Sequence, residues 1–121
     1  DAVRNAAAVV LVAVPQLDLR GRLLAGRAAQ RVWLKATAMG VAVHPVSASI
    51  FFGHLAEHPS LRVLGDAQAQ KCRALLQEIR SLFNVQGLQP ALMMKLTLAG
   101  ATEVRSLRMP VEDMLFTSDE R

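Results

Sequence analysis

Residues 6–14 read AAAVVLVAV and the run stops at Pro15. A continuous apolar segment rich in β-branched residues, too short to stand as a helix, is the pattern of a strand buried on both faces. Such a strand belongs in the middle of a sheet. The rest of the chain must therefore supply neighbouring strands and helices that cover it. The run also reaches only about half of the ~20 residues that a membrane span needs.

The segment after this strand carries the strongest helical signal. Asp18 stands before LRGRLLAGRAAQRVWLKATAMG and is suited to cap a helix. Leu24, Ala28, Val32 and Ala36 recur at i, i+4 spacing, and Leu23, Leu34 and Met39 broaden the stripe. Gly40 follows the last periodic residue and fits the left-handed position that ends a helix. The pattern predicts a helix over 20–39. Its small residues Ala25, Gly26, Ala28 and Ala29 allow another backbone to approach closely, while Arg27, Arg31 and Lys35 read as a solvated row.

Val41 to Val43 is a short apolar stretch ended by His44-Pro45, Ser47-Ala48-Ser49 reads as a loop, and Ile50-Phe51-Phe52 as an apolar patch returning to the core. Asp66 is placed to cap a second helix over 67–83, whose stripe is Cys72, Leu75, Leu76, Ile79, Leu82 and Phe83. Leu92, Met94, Leu96 and Leu98 then alternate with Met93, Lys95 and Thr97. That period of two predicts a strand with one buried face, lying between Pro90 and Gly100. Pro110 argues for an extended or edge path in the tail from Val104 to Phe116. Strand, helix, loop, helix, strand and tail imply an α+β fold.

Composition narrows the class. The 121 residues suit one domain, and 52% hydrophobic against 20% charged residues excludes a disordered tail. Cys72 is the one cysteine, so no internal disulfide is possible and nothing requires an oxidising compartment. No signal-peptide pattern opens the sequence, and a soluble, cytoplasmic protein with no membrane attachment is expected. The net charge of +4 admits an anionic partner. With no tyrosine and only four Phe and one Trp, however, the chain lacks the interleaved aromatics of a base-stacking platform, which argues against nucleic acid.

The search for catalytic groups is mostly negative. His54-Leu-Ala-Glu57-His58 matches the H-x-x-E-H pattern of inverted zinc peptidases, which needs both histidines on one helical face. Pro59 follows His58 directly and disfavours helical geometry there, so the segment reads as a surface turn with exposed histidines. Cys72 sits on an apolar stripe and reads as a small core residue, and Met93-Met94 reads as strand core. Ser47, Ser49 and Ser60 lack a nucleophile context, and no glycine-rich phosphate loop occurs. Two segments remain. Gly40 to Ser49 offers backbone amides beside small side chains, which suits a flat cofactor ring. Arg105 and Arg108, stiffened by Pro110, suit a phosphate held by forked charge-assisted bonds.

Taken in order, these segments resemble the nitroreductase superfamily of FMN-dependent oxidoreductases. Ala28 to Gly40 resembles the family's long central helix, of pattern A-x-Q-x-x-x-L-x-A-x-x-x-G, and Gly40 to Pro45 its G-x-x-x-x-P turn beside the flavin. Arg108-Met-Pro110-Val-Glu112 resembles the closing R-x-P-x-E segment, and an apolar strand before the helix and another before the tail fall in the family's order. The likeness spans about residues 3–116 and is closest to divergent branches, including domains attached to ThiF-like adenylating enzymes and flavin-sequestering members. It implies a nitroreductase-like mixed sheet flanked by helices, with this chain as the C-terminal portion of the domain.

The resemblance also implies a site. Pro45 matches the turn proline, and Val46, Ser47 and Ala48 match the stretch whose backbone approaches the flavin near N5. Many members carry Glu-Gly where this chain has Ser47-Ala48, a departure that leaves backbone contacts but removes a side-chain role. Arg108 matches the arginine that binds the FMN phosphate, with Arg105 as a second basic residue one position off the usual spacing. The implied cofactors are FMN and, transiently, NAD(P)H, which reduces the flavin before a small-molecule electron acceptor reoxidises it. The implied assembly is a homodimer with the flavin site at its interface. The alternatives are a non-catalytic flavin-sequestering or regulatory module, which the Ser47-Ala48 departure favours, and a small anion- or nucleic-acid-binding domain.

Overall fold

A computed structural model describes residues 4–58, 64–98 and 109–110. Arg105 and Arg108 lie outside the described residues, as do Gly100 and most of the tail. The elements run β1 (Ala8–Val14), α1 (Leu19–Ala38), β2 (Val41–Pro45), α2 (Ala48–Glu57), α3 (Asp66–Leu82) and β3 (Gln89–Leu98). The fold is α+β, with three helices against a three-stranded sheet of order β1-β3-β2. Both pairings with β3 are antiparallel, so β1 and β2 run parallel on either side of it.

The sheet centre corrects one expectation. Here β3 lies in the middle and β1 pairs only with it, at the edge of the described sheet. Alternate residues of β1 account for this: Val12 and Val14 are buried, while the opposite face stays half-exposed. An unbroken apolar sequence therefore did not mean two covered faces. Met94 of β3 is 0% exposed and is the residue that both neighbours enclose. A β-bulge at Val12/Ala13 sets the extra residue Ala91 in β3.

The long helix forms where its pattern places it. Asp18 Oδ1 accepts from Gly21 N–H at 2.7 Å, and Gly40 ends the helix at φ +70°. Its buried face is Gly21, Ala25, Ala29 and Ala36 with Val32 packed beside them, so the expected stripe holds at Val32 and Ala36 but shifts by one residue from Leu24 and Ala28 to Ala25 and Ala29. Small side chains let α1 lie close on Val12, Val14 and Met94, and the larger leucines turn outward. Of the small residues, Ala25 and Ala29 are thus taken up inside the chain, while Gly26 and Ala28 stay exposed. Gly21 is fixed by the segment leading into the helix, since a Cβ there would stand 1.8 Å from the Gln16 carbonyl oxygen.

The Ser47–Ser49 loop is instead the start of α2, with Ser47 at its N-cap position. Pro59 still limits the helix, because His58 is already extended at ψ 108°. Ile50 reaches the core at 2% exposure, but Phe51 and Phe52 remain in solvent. Helix α3 begins one residue earlier than its stripe implies, with Gly65 at the N-cap and Asp66 in the first turn. It ends in a left-handed Asn84, where Asn84 N–H donates to Ser81 O and Val85 N–H to Arg80 O. Cys72 is only half-buried on that helix.

Helices α2 and α3 pack through one contact that demands glycine. A Cβ on Gly53 would lie 2.7 Å from Leu76 Cβ, and Leu76 is 0% exposed. Among the described residues no helix is long and apolar enough to cross a membrane.

Candidate functional site

Strand β2 leads directly into α2, and the junction Pro45–Ala48 is built on β3. Val46 N–H donates to Met93 O at 2.9 Å. Ser47 Oγ accepts from Met93 N–H at 3.0 Å and donates to Met93 O at 3.2 Å. The hydroxyl thus extends the sheet by one rung, with its proton and one lone pair taken up there. Because it faces Met93, no side chain caps α2. The first intrahelical bond runs from Phe51 N–H to Ser47 O, and the amides of Ala48 and Ser49 have no partner among the described residues. Pro45 and Ala48 are both exposed. Of the four junction residues, then, Ala48 is exposed with an unpartnered amide among the described residues, whereas the Val46 amide is taken by Met93.

A cleft of about 1040 Å³ opens beside this junction. One wall is the entry to α1 (Leu17, Arg22, Ala25, Gly26), the other is α2 (Ile50, Phe51, His54, Leu55), and Ala91 and Leu92 of β3 form the floor. The lining is mainly apolar, and Ser47 belongs to it.

A polar latch closes the inner end of α2. Arg80, 9% exposed, reaches across from α3 and grips both oxygens of Glu57, with Nη1–Oε1 at 2.7 Å and Nη2–Oε2 at 3.2 Å. Its Nη2 also donates to Gln89 Oε1 of β3 at 2.9 Å. His54 Nε2 donates to Pro90 O at 2.6 Å, which sets the proton on that nitrogen. Its Nδ1 stands 3.5 Å from Glu57 Oε2, so the ring donates to both neighbours only when it carries a second proton. Hydrogen bonds from Arg80 hold the Glu57 carboxyl below its ordinary value of 4.5. Partial burial opposes that shift, and the positive charges of Arg80 and His54 reinforce it. Three elements meet in this network: α2, α3 and β3.

Of the H-x-x-E-H segment, His54 to Glu57 is therefore helical and its first histidine half-buried, while His58 is exposed and extended at the helix end, where the sequence places it. Both His54 and Glu57 are held by structural partners, and among the described residues no group of three or more His, Cys, Asp or Glu side chains could hold a metal ion. The sequence reading missed the latch altogether. Its one signal is that Arg80 continues the Cys72–Leu76 spacing of four along the apolar stripe of α3. A charged residue at a core position calls for a buried partner.

Comparison with protein-family models, with curated proteins and with solved structures finds no match for this chain.

Proposed function

We propose that the chain is the C-terminal portion of an FMN-dependent NAD(P)H oxidoreductase of nitroreductase type, acting by hydride relay to a small-molecule acceptor. The observation that carries this reading is the junction after Pro45. There β2 passes into an uncapped helix whose first amides, at Ala48 and Ser49, have no hydrogen-bond partner among the described residues and stand beside small side chains. Such donors suit the acceptor-rich edge of an isoalloxazine ring. Ala48 and Ser49 would hold that edge, and Arg108 with Arg105 would hold the phosphate. FMN, when bound, supplies the hydride chemistry. Ser47 contributes rigidity, since its two hydrogen bonds with Met93 fix where α2 starts.

Further support comes from the outer surface of α1. Leu19, Leu23 and Leu34 stand 63–77% exposed, with Trp33 at 42%. So much large apolar surface on one helix suits burial against a second copy. The dimer contact in this reading is the leucine face, because the alanine face already covers the sheet. The structural role of the Ser47 hydroxyl also keeps the flavin-sequestering alternative open, as its proton and one lone pair are already held by Met93.

The test is FMN titration of the purified full chain, followed by visible spectroscopy and sedimentation. The reading expects a perturbed flavin band that saturates at one FMN per chain in a dimer. No uptake of FMN would overturn it.

A further inference from the structure

The cleft between α1 and α2 has a chemical bias independent of the flavin reading. The acceptors of three lining side chains are already engaged, and among the described residues those of Gln16 and His58 are not. Both Glu57 oxygens receive Arg80, Gln89 Oε1 receives Arg80, and the Ser47 hydroxyl is closed on Met93. Two donor groups are not engaged. With its oxygen fixed by Arg80, the Gln89 amide turns its NH₂ group elsewhere, and that group has no partner among the described residues. Arg22 donates only through Nε, to Leu17 O at 2.9 Å, and its terminal nitrogens have neither a hydrogen bond nor an ion pair among the described residues. The charge is biased in the same sense, because Arg80 neutralises the one carboxylate in the lining and Arg22 is left in excess. The walls are apolar, and Phe51 stands 62% exposed at the cleft beside the Phe52 ring.

We infer that this cleft binds a small aromatic carboxylate, its ring against Phe51 and its carboxylate on the Arg22 guanidinium. An apolar body buries the exposed ring surface, and a head group made only of acceptors matches walls that offer donors. A neutral aromatic meets the apolar walls but leaves Arg22 unused. An aromatic amine meets a cationic cleft and is disfavoured.

The experiment is calorimetric titration of the full chain, without FMN, with 2-naphthoate and with the uncharged 2-naphthamide of the same shape. The expected result is saturable one-to-one binding of naphthoate, tighter than naphthamide. Arg22→Gln should weaken naphthoate by about tenfold and leave naphthamide unchanged, the size of one lost charge-assisted bond. Phe51→Ser should weaken both probes alike. Both positions are exposed, so the fold tolerates these changes, and the Trp33 emission spectrum checks that it does. Equal affinity for the two probes, no saturable binding, or an Arg22→Gln chain that binds naphthoate normally each overturns the inference. None of these outcomes bears on FMN uptake, which is measured separately.

Discussion

Two halves of the molecule are held together in different ways. The α1–sheet half depends on apolar fit, with Ala25 and Ala29 lying on Val12, Val14 and Met94. The α2–α3 half has Leu76 and Ile50 at its centre but is joined to the sheet by polar bonds, from Arg80 to Gln89 and from His54 to Pro90. Apolar burial tolerates small displacements, whereas a forked ion pair fixes orientation. The half that carries the Ser47 junction and the cleft wall is thus the directionally fixed one. A site built on α2 inherits that precision.

The largest effect is expected where both neighbouring strands converge. Met94→Ala empties a fully enclosed position and should cost about 2–5 kcal/mol in urea unfolding followed by Trp33 emission. It should loosen both halves together, because β3 serves both. A variant in which only one of α1 and α3 loses protection from hydrogen exchange would break the comparison.

The latch separates the halves more sharply. Glu57→Ala strands the Arg80 charge at 9% exposure with Gln89 alone, and should cost about 2–3 kcal/mol after allowing for the solvent that reaches Glu57. Arg80→Met removes the buried charge itself and leaves a carboxylate that water can reach, so it should cost less, about 1 kcal/mol. Exchange should quicken in α2 and α3 while α1 stays protected. The reverse order of the two variants would mean that the pair contributes through packing and not through charge.

Gly53→Ala asks how tightly α2 and α3 are set. The added methyl meets Leu76 at 2.7 Å, and overpacking of this kind costs about 1–2 kcal/mol. A neutral result would show that the helices can part without loss.

The smallest effect concerns acidity. Glu57 titrates below its ordinary 4.5 in the folded chain, so its stabilisation is present above that pH and fades as pH falls through the lowered folded value. Wild-type stability should therefore drop on acidification more than that of Glu57→Gln, compared by urea unfolding at neutral and acidic pH. Parallel curves would remove the latch from the acid response.

This division also decides what could be read from the sequence. Apolar periodicity located α1, α3 and β3 to within a residue or two at most ends, because burial leaves a regular mark on residue order. It misplaced β1, since an apolar residue can face solvent at low cost and Val9 or Leu11 need not be covered. The α1 stripe was offset for a related reason: closeness to the sheet selected Ala25 and Ala29 over the larger Leu24. The β2–α2 junction was legible as a place but not as a structure, because Ser47 pairs with a residue 46 positions away. The Glu57–Arg80 bond spans 23 positions, and only the place of Arg80 on the apolar stripe of α3 points to it.

The central claim is that a flavin held at the Pro45–Ala48 junction passes electrons from NAD(P)H to an acceptor. Anaerobic rapid mixing of the FMN-loaded chain with NADPH, and separately with NADH, tests it most directly. The account predicts bleaching of the flavin band with one nucleotide faster than for free FMN, and recovery of the band when a quinone is added. An FMN-loaded chain whose band does not bleach with either nucleotide would contradict it.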